Sequence, residues 1–456
     1  MFRGCIMNKK GFISTASLFS FFLVFCTLLI LIMTTYTNNR VNFKMIKNDL
    51  KKYLITGSNT FLKSRYKTLP EEIIEGEGPT DSSEPDTPSN PDVPTDPDNP
   101  PIPDPVIPSY KAYEKVLLDN SAGASTVSNA ISFINGRGTP NFASTATTNE
   151  GMFFAEDNLG SSYYFRGAVN NNWVKFGKYT KDMYNCTNGT ISETDTGSCT
   201  KIASSGDDIY WRIIRINGDN SIRMIYSGTN APTATTSVIM TGSTTAIGQS
   251  VYNTVASGAE YTGYMYQKNY QRNNVNNSAI KNEVDEWFAD TSLASTDSIK
   301  VKDTIFCNDR GTVTTWASIP SSNLIFNGRD RNVNQKNPSL KCNAGADKFT
   351  VSNDNSNKAL RYPVGLITID EVAMAGGCFL STNKNYYLYT GIFYYTMTPN
   401  FIRKGGAAFV FLVDQKGDYP NYSVGSNIYI RPVINLNGDV KFKGSGTYDD
   451  IYEVVE

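Results

Sequence analysis

The run from Ile13 to Thr35, ISTASLFSFFLVFCTLLILIMTT, carries no charged residue. Nothing else in the chain narrows its fold so much. As a helix rising 1.5 Å per residue it reaches about 34 Å, enough for a hydrocarbon core of about 30 Å. A secretory signal has a shorter apolar core followed by a small-residue cleavage site. Here Tyr36-Thr37-Asn38-Asn39-Arg40 follows instead. The run reads as a retained transmembrane helix over residues 12–37, behind a basic leader over 1–11. Arg3, Lys9 and Lys10 precede it, while Arg40, Lys44, Lys47, Lys51 and Lys52 follow it. That count does not favour an outward C-terminal part, but long domains translocate largely regardless of flanking charge. The expected placement is single-pass in the cell membrane, with the remainder extracellular.

Beyond the anchor, Phe43, Ile46, Leu50 and Leu54 recur at spacings of three and four. This predicts an amphipathic helical stalk over 38–75. Composition then changes abruptly. Eleven of the 20 prolines fall between Pro79 and Pro108, among Asp, Ser and Thr. Such a stretch buries no core and extends at about 3.1 Å per residue. Residues 76–109 are therefore a disordered spacer, and 110–456 remain for a globular head.

The head's chemistry is bounded by what is missing. The chain has no histidine, and its 42 basic and 43 acidic residues nearly cancel. The commonest general base and zinc ligand are thus absent. Bulk charge gives no reason to expect a nucleic-acid partner. Five cysteines lie in the head: Cys186, Cys199, Cys307, Cys342 and Cys378. Cys186 and Cys199 bracket a short polar loop, Cys307 and Cys342 a longer one, and neither loop has an apolar periodicity to order it. Disulfides Cys186–Cys199 and Cys307–Cys342 are expected, as suits an oxidising compartment. Cys378, behind Gly376-Gly377, is expected to stay unpaired; five reduced, buried cysteines are the alternative.

Short apolar runs separated by Asn, Gly, Ser and Asp predict many strands. The strongest is Tyr210 to Ile216, then Asn217-Gly218-Asp219-Asn220, then Ser221 to Tyr226, two strands around a polar turn. Further strands are predicted at 162–167, 173–176, 409–413 and 431–436. Ile280, Val284, Trp287 and Phe288 share one helical face behind Asn277-Ser278. Thr368 and Glu371 form a capping box that opens a second helix, stopped by Gly376-Gly377. The class is α+β, rich in strands with a few helices.

Two resemblances add to this. Lys9-Lys10-Gly11-Phe12 at the mouth of the apolar helix resembles the prepilin signal of type IV pilins and pseudopilins. The resemblance implies cleavage after Gly11 by a prepilin peptidase, with Lys10, Gly11 and Phe12 as the processing residues. Pilins usually carry glutamate five residues after the cut, where this chain has Ala16. In the head, the ordered motifs Tyr-Tyr-Phe-Arg-Gly, Trp-Val-Lys-Phe-Gly, Trp-Arg-Ile-Ile-Arg-Ile-Asn-Gly-Asp, Phe-Cys-Asn-Asp-Arg, Gly-Leu-Ile-Thr-Ile-Asp-Glu-Val-Ala-Met-Ala-Gly-Gly and Arg-Pro-Val-Ile-Asn-Leu are similar to a head domain of surface proteins from low-GC Gram-positive bacteria. The closing Arg-Pro-Val strand is also similar to the last strand of formylglycine-enzyme and C-type-lectin-like folds. Neither resemblance supplies catalytic residues.

Candidate ligand contacts are the rings of Tyr387, Tyr389, Tyr394 and Tyr395, which offer faces for sugar stacking. Packing within strands is the competing account of the same rings. No cofactor or metal is expected: Asp219 with Asn217, and Asp354 with Asn353 and Asn355, match no calcium loop and suit turns. The expected function is a membrane-anchored, surface-displayed binding protein or adhesin, non-catalytic, with a glycan or protein ligand. The alternatives are a pilin-like structural subunit of a filament or secretion machine, and a carboxylate-based surface hydrolase.

Overall fold

The computed structural model describes residues 110–186, 191–195, 197–352 and 357–455. The leader, anchor, stalk and spacer lie outside these residues, as does Asp354. Among the described residues no helix is long and apolar enough to cross a membrane.

The head begins with two short helices, α1 (Ala112–Asp119) and α2 (Val127–Asn135). Neither is predicted from the sequence. Their apolar faces are narrow, with Ala112, Val116 and Leu117 buried in the first and Ala130 and Ile134 in the second. Thr126 caps α2 by accepting from the Asn129 amide at 3.2 Å. Strands follow: β1 (Asn149–Glu156), β2 (Ser161–Gly167), β3 (Trp173–Lys178), β4 (Met183–Cys186), β5 (Cys199–Ala203), β6 (Asp208–Ile216) and β7 (Ile222–Tyr226). Helix α3 (Ala279–Ala289) and strand β8 (Phe306–Cys307) come next. Helix α4 (Ile369–Ala375) precedes β9 (Tyr394–Ile402), β10 (Ala408–Val413), β11 (Val433–Leu436), β12 (Lys441–Lys443) and β13 (Tyr452–Val455).

Nine strands form the main sheet, whose order runs from Val364–Gly365 through β11, β7, β6, β3 and β13 to β12. The long strand β6 carries β3 along its first half and β2 along its second, and β2 in turn pairs with β1. The predicted turn joins β6 to β7: the Asn217 amide donates to Ser221 O at 2.8 Å, and Asn220 takes φ 66°. Asp219 Oδ1 accepts from both the Ser221 amide and the Ser221 hydroxyl and so serves the turn. A second sheet holds β9 and β10 at its centre.

Both predicted helices are present and α3 packs through aromatic rings. Trp287 meets Trp211 of β6 at 6.2 Å and Tyr226 of β7 at 5.6 Å, edge to face. Their polar tips are satisfied internally, since Trp287 Nε1 donates to Tyr179 Oη at 2.9 Å and Trp211 Nε1 to Phe176 O at 2.7 Å. In α4 the capping box closes as predicted: Thr368 Oγ1 accepts from the Glu371 amide, and Glu371 Oε2 from the Thr368 amide. Arg166 of β2 donates to the Ala373 and Met374 carbonyls at the other end of α4, a cation on a helix C-terminus.

The disulfides Cys186–Cys199 and Cys307–Cys342 are both present, and Cys378 is a buried free thiol. The start of the head is tied to its final strands. Ala112 N donates to Val440 O at 2.6 Å, Lys111 pairs with Asp439 at 2.7 Å, and Tyr452 Oη donates to Asp119 at 2.8 Å. Strand β13 then joins β3 in parallel, with Tyr452 opposite Val174.

Candidate functional site

The tyrosines proposed for sugar stacking are corrected by their burial. Tyr387 is 2 % exposed, and Tyr394 and Tyr395 are fully buried. Tyr394 Oη donates to Leu388 O, and Tyr395 Oη to the Ser423 and Ser426 carbonyls. Tyr394 and Tyr395 are core residues of β9, and the Tyr387 ring packs under Arg212 of β6, so a sugar cannot reach these faces. Tyr389 alone is half-buried, and its hydroxyl donates to Gln415 O.

The structure instead brings charged side chains together where β6, β7, α4 and the Cys307–Cys342 loop meet. Glu371, set by the α4 capping box, receives Arg215 Nε of β6 at 3.0 Å and lies 2.5 Å from Arg223 Nε of β7. Burial alone would raise the Glu371 carboxyl, but the guanidinium groups of Arg223 and Arg215 outweigh it and hold it below the usual range. Asp157, just past β1, accepts from Arg215 Nη1 at 2.7 Å and from the Gly218 amide at 2.9 Å. Its other oxygen accepts from the Leu159 and Gly160 amides. Gly218 is required there, because a Cβ would sit 2.5 Å from Asp157 Oδ1 and collide with the Gly160 amide.

A second carboxylate pair shares one arginine. Arg331 holds Asp370 through both oxygens at 2.7 Å and reaches Asp309 at 2.8 Å. Burial raises the Asp309 carboxyl against the pull of Arg331. Asp309 takes φ 38°, left-handed backbone that few side chains other than Asn and Asp adopt readily. The disulfide partner Cys342 completes the wall: its amide donates to Asn158 Oδ1 at 2.6 Å, and Asn158 Nδ2 returns a bond to Cys342 O.

These residues line a cavity of about 30 Å³, room for roughly two water-sized atoms. Its lining carries four carboxylates (Asp157, Asp309, Asp370, Glu371) and three arginines (Arg215, Arg223, Arg331), while Lys341 pairs with Glu156 outside it. Each carboxylate contacts an arginine. Three buried atoms of lining residues, Arg223 Nε and Nη1 and Asn217 Oδ1, have no hydrogen-bond partner among the described residues, although Arg223 Nε lies against the Glu371 carboxylate. An unpaired buried donor or acceptor costs about 1–3 kcal/mol, and more when charged. Asn217 Nδ2 donates to Ser221 Oγ and to Asn435 Oδ1, and Asn435 Nδ2 is itself buried without a partner. The cavity is therefore walled by carboxylates and arginines already paired with one another. No family model matches the chain, and no curated protein or solved structure matches it.

Away from the cavity, Glu283 of α3 accepts from the Ile191 amide at 2.9 Å. Its carboxyl is pushed up to about 7, chiefly by burial, with Glu286 adding to the shift. A carboxyl raised on folding contributes stability that is full below its unfolded value and lost as pH rises through the folded one. Glu283→Gln keeps an acceptor for Ile191 and removes the charge. The variant is expected to melt higher than wild type at pH 8.5, with the gap closing toward pH 5. Thermal melts across that range check it, and a constant gap or a less stable variant at pH 8.5 would refute the assignment.

Proposed function

We propose that the chain is a membrane-anchored, surface-displayed binding protein whose head holds a glycan or protein ligand. The observation that carries this reading is the cavity between β6, β7, α4 and the Cys307–Cys342 loop, walled by carboxylates and arginines held in ion pairs. The frame itself is fixed by bidentate and shared arginine contacts, which is the preorganisation a binding site needs. Two disulfides in the head support its exposure to an oxidising compartment. The apolar run 13–35 supplies the anchor, the proline-rich 76–109 segment the distance from the membrane, and Lys10-Gly11-Phe12 a processing site for a prepilin peptidase.

Two measurements test the reading. Protease added to intact cells expressing the full chain is expected to release the head; a head degraded only after permeabilisation overturns the display. Full-length protein in detergent micelles, applied to glycan and peptide arrays, is expected to bind a chemically related subset. Arrays that stay blank overturn the binding role.

A further inference from the structure

The geometry points to a second binding site, a subsite for a neutral saccharide, in the open hollow between the ends of α1 and α2 and the start of β1. It shares no lining residue with the charged cavity and goes beyond the role proposed for that cavity. The hollow measures about 430 Å³, within the range of about 300–1,000 Å³ that holds small ligands. Phe133 of α2 lines it and is 43 % exposed. A single exposed apolar side chain is ordinary on a protein surface. This one stands among three carboxamides: Asn120 at the end of α1, Asn149 at the start of β1, and Asn171 in the link from β2 to β3.

Local structure sets these amides. Asn120 Nδ2 donates to Val116 O at 2.9 Å, and its Oδ1 accepts from Asn171 Nδ2 at 2.8 Å. Asn149 Oδ1 accepts from the Gly151 amide at 3.0 Å, at a shift in the β1–β2 register where Gly151 takes φ 69°. Such irregularities re-aim side chains beside a strand. A carboxamide has two N–H donors and an oxygen with two lone pairs, so each of the three keeps valences for a ligand. The charges of the lining are already engaged. Asp119 pairs with Lys115 at 3.0 Å and accepts from Tyr452 Oη, and Glu150 pairs with the buried Arg166 at 2.9 Å. Arg137 donates to Met152 O and lies 4.0 Å from the Phe153 ring centroid. What remains is one exposed ring beside neutral donors and acceptors. A pyranose complements that pair, since its C–H face covers an aromatic ring while its hydroxyls both donate and accept. An ionic ligand has to displace a contact that these charges already make. A purely apolar one strips water from three amides and returns no bond.

Saturation-transfer NMR and isothermal calorimetry test this on the full-length chain in a detergent without sugar head groups. The neutral probes are cellotriose, maltotriose and mannotriose; trigalacturonate is the acidic probe and a glucosamine trimer the basic one. At least one neutral trisaccharide is expected to bind more tightly than both charged probes. Phe133→Ala is expected to weaken it about tenfold by removing the ring contact, and Phe133→Trp, which keeps a ring, to retain it. Thermal melts of both variants are expected to match wild type, because the side chain is exposed. Tighter binding of trigalacturonate or the glucosamine trimer makes the hollow an ionic site and overturns the proposal. So does neutral binding that Phe133→Ala leaves unchanged, or silence from all five probes. Array ligands captured equally by wild type and Phe133→Ala sink this assignment while leaving the binding role standing. Blank arrays with a trisaccharide bound at Phe133 do the reverse.

Discussion

Glu371→Leu is expected to destabilise the head by about 4–6 kcal/mol, a loss near the top of the range for single substitutions. The carboxylate does two jobs in one place. It is the shared partner of Arg215 and Arg223, both almost fully buried, and it closes the capping box of α4 on the Thr368 amide. Removing one side of a buried pair costs about 3–5 kcal/mol because the other charge is left without a partner, and losing a cap adds about 1. Leucine fills the volume, so the effect isolates charge and hydrogen bonding. Urea unfolding at pH 7 of the full chain measures it, and a loss under about 1 kcal/mol would sink the account. The sign with pH is also fixed. Because Arg223 and Arg215 hold the Glu371 carboxyl down, its contribution is full above the unfolded value and is lost as pH falls through the folded one. The gap between wild type and Glu371→Gln should therefore shrink in acid.

The double change Cys307→Ser with Cys342→Ser is expected to cost about 4 kcal/mol, by loop-closure entropy for a separation of 35 residues. The same change at Cys186 and Cys199, 13 residues apart, is expected to cost about 3 kcal/mol. The order matters more than the sizes, since strain and residual structure lower both values. Cys342 also seats the wall of the cavity through its reciprocal bonds with Asn158. Unfolding with and without reductant measures both losses, and a larger loss from the Cys186–Cys199 change would refute the loop-length account.

Much of the strand framework was legible because each cue is local. The β6–β7 hairpin announces itself by two apolar runs around Asn217-Gly218-Asp219-Asn220, and α3 and α4 by spacing and caps within a dozen residues. Helices α1 and α2 were missed because eight or nine residues with two or three buried side chains give little periodicity. Strand β9 was hidden by Pro399, which sits between two shifts in its register with β10. The tyrosine string misled because a ring that suits a sugar suits a core equally well.

The cavity left a fainter signal. Its charges come from positions as far apart as Asp157 and Glu371, and no spacing rule joins them. What the sequence did carry was Arg212 and Arg215 inside the otherwise apolar run from Tyr210 to Ile216. A charge within a buried strand must be met by carbonyls or by carboxylates. Arg212 shows the first solution: it donates to Asn172 Oδ1 and to the Val169, Ser237 and Val238 carbonyls, and burial pushes it down to about 9. Arg215 shows the second, and following its partners leads to the site.

The join between α1 and the strands β12 and β13 also determines how the head carries load. A pull on the chain at Tyr110 does not reach the hydrophobic interior first. It arrives at the Ala112–Val440 hydrogen bond and the Lys111–Asp439 pair, and then at Tyr452, whose hydroxyl holds Asp119. Behind them the parallel ladder of β13 on β3 continues the load path into the main sheet. Tension therefore passes along the edge of the sheet opposite Val364–Gly365. The charged cavity draws on β6, β7 and α4, and the ladder of β3 on the first half of β6 stands between it and that edge.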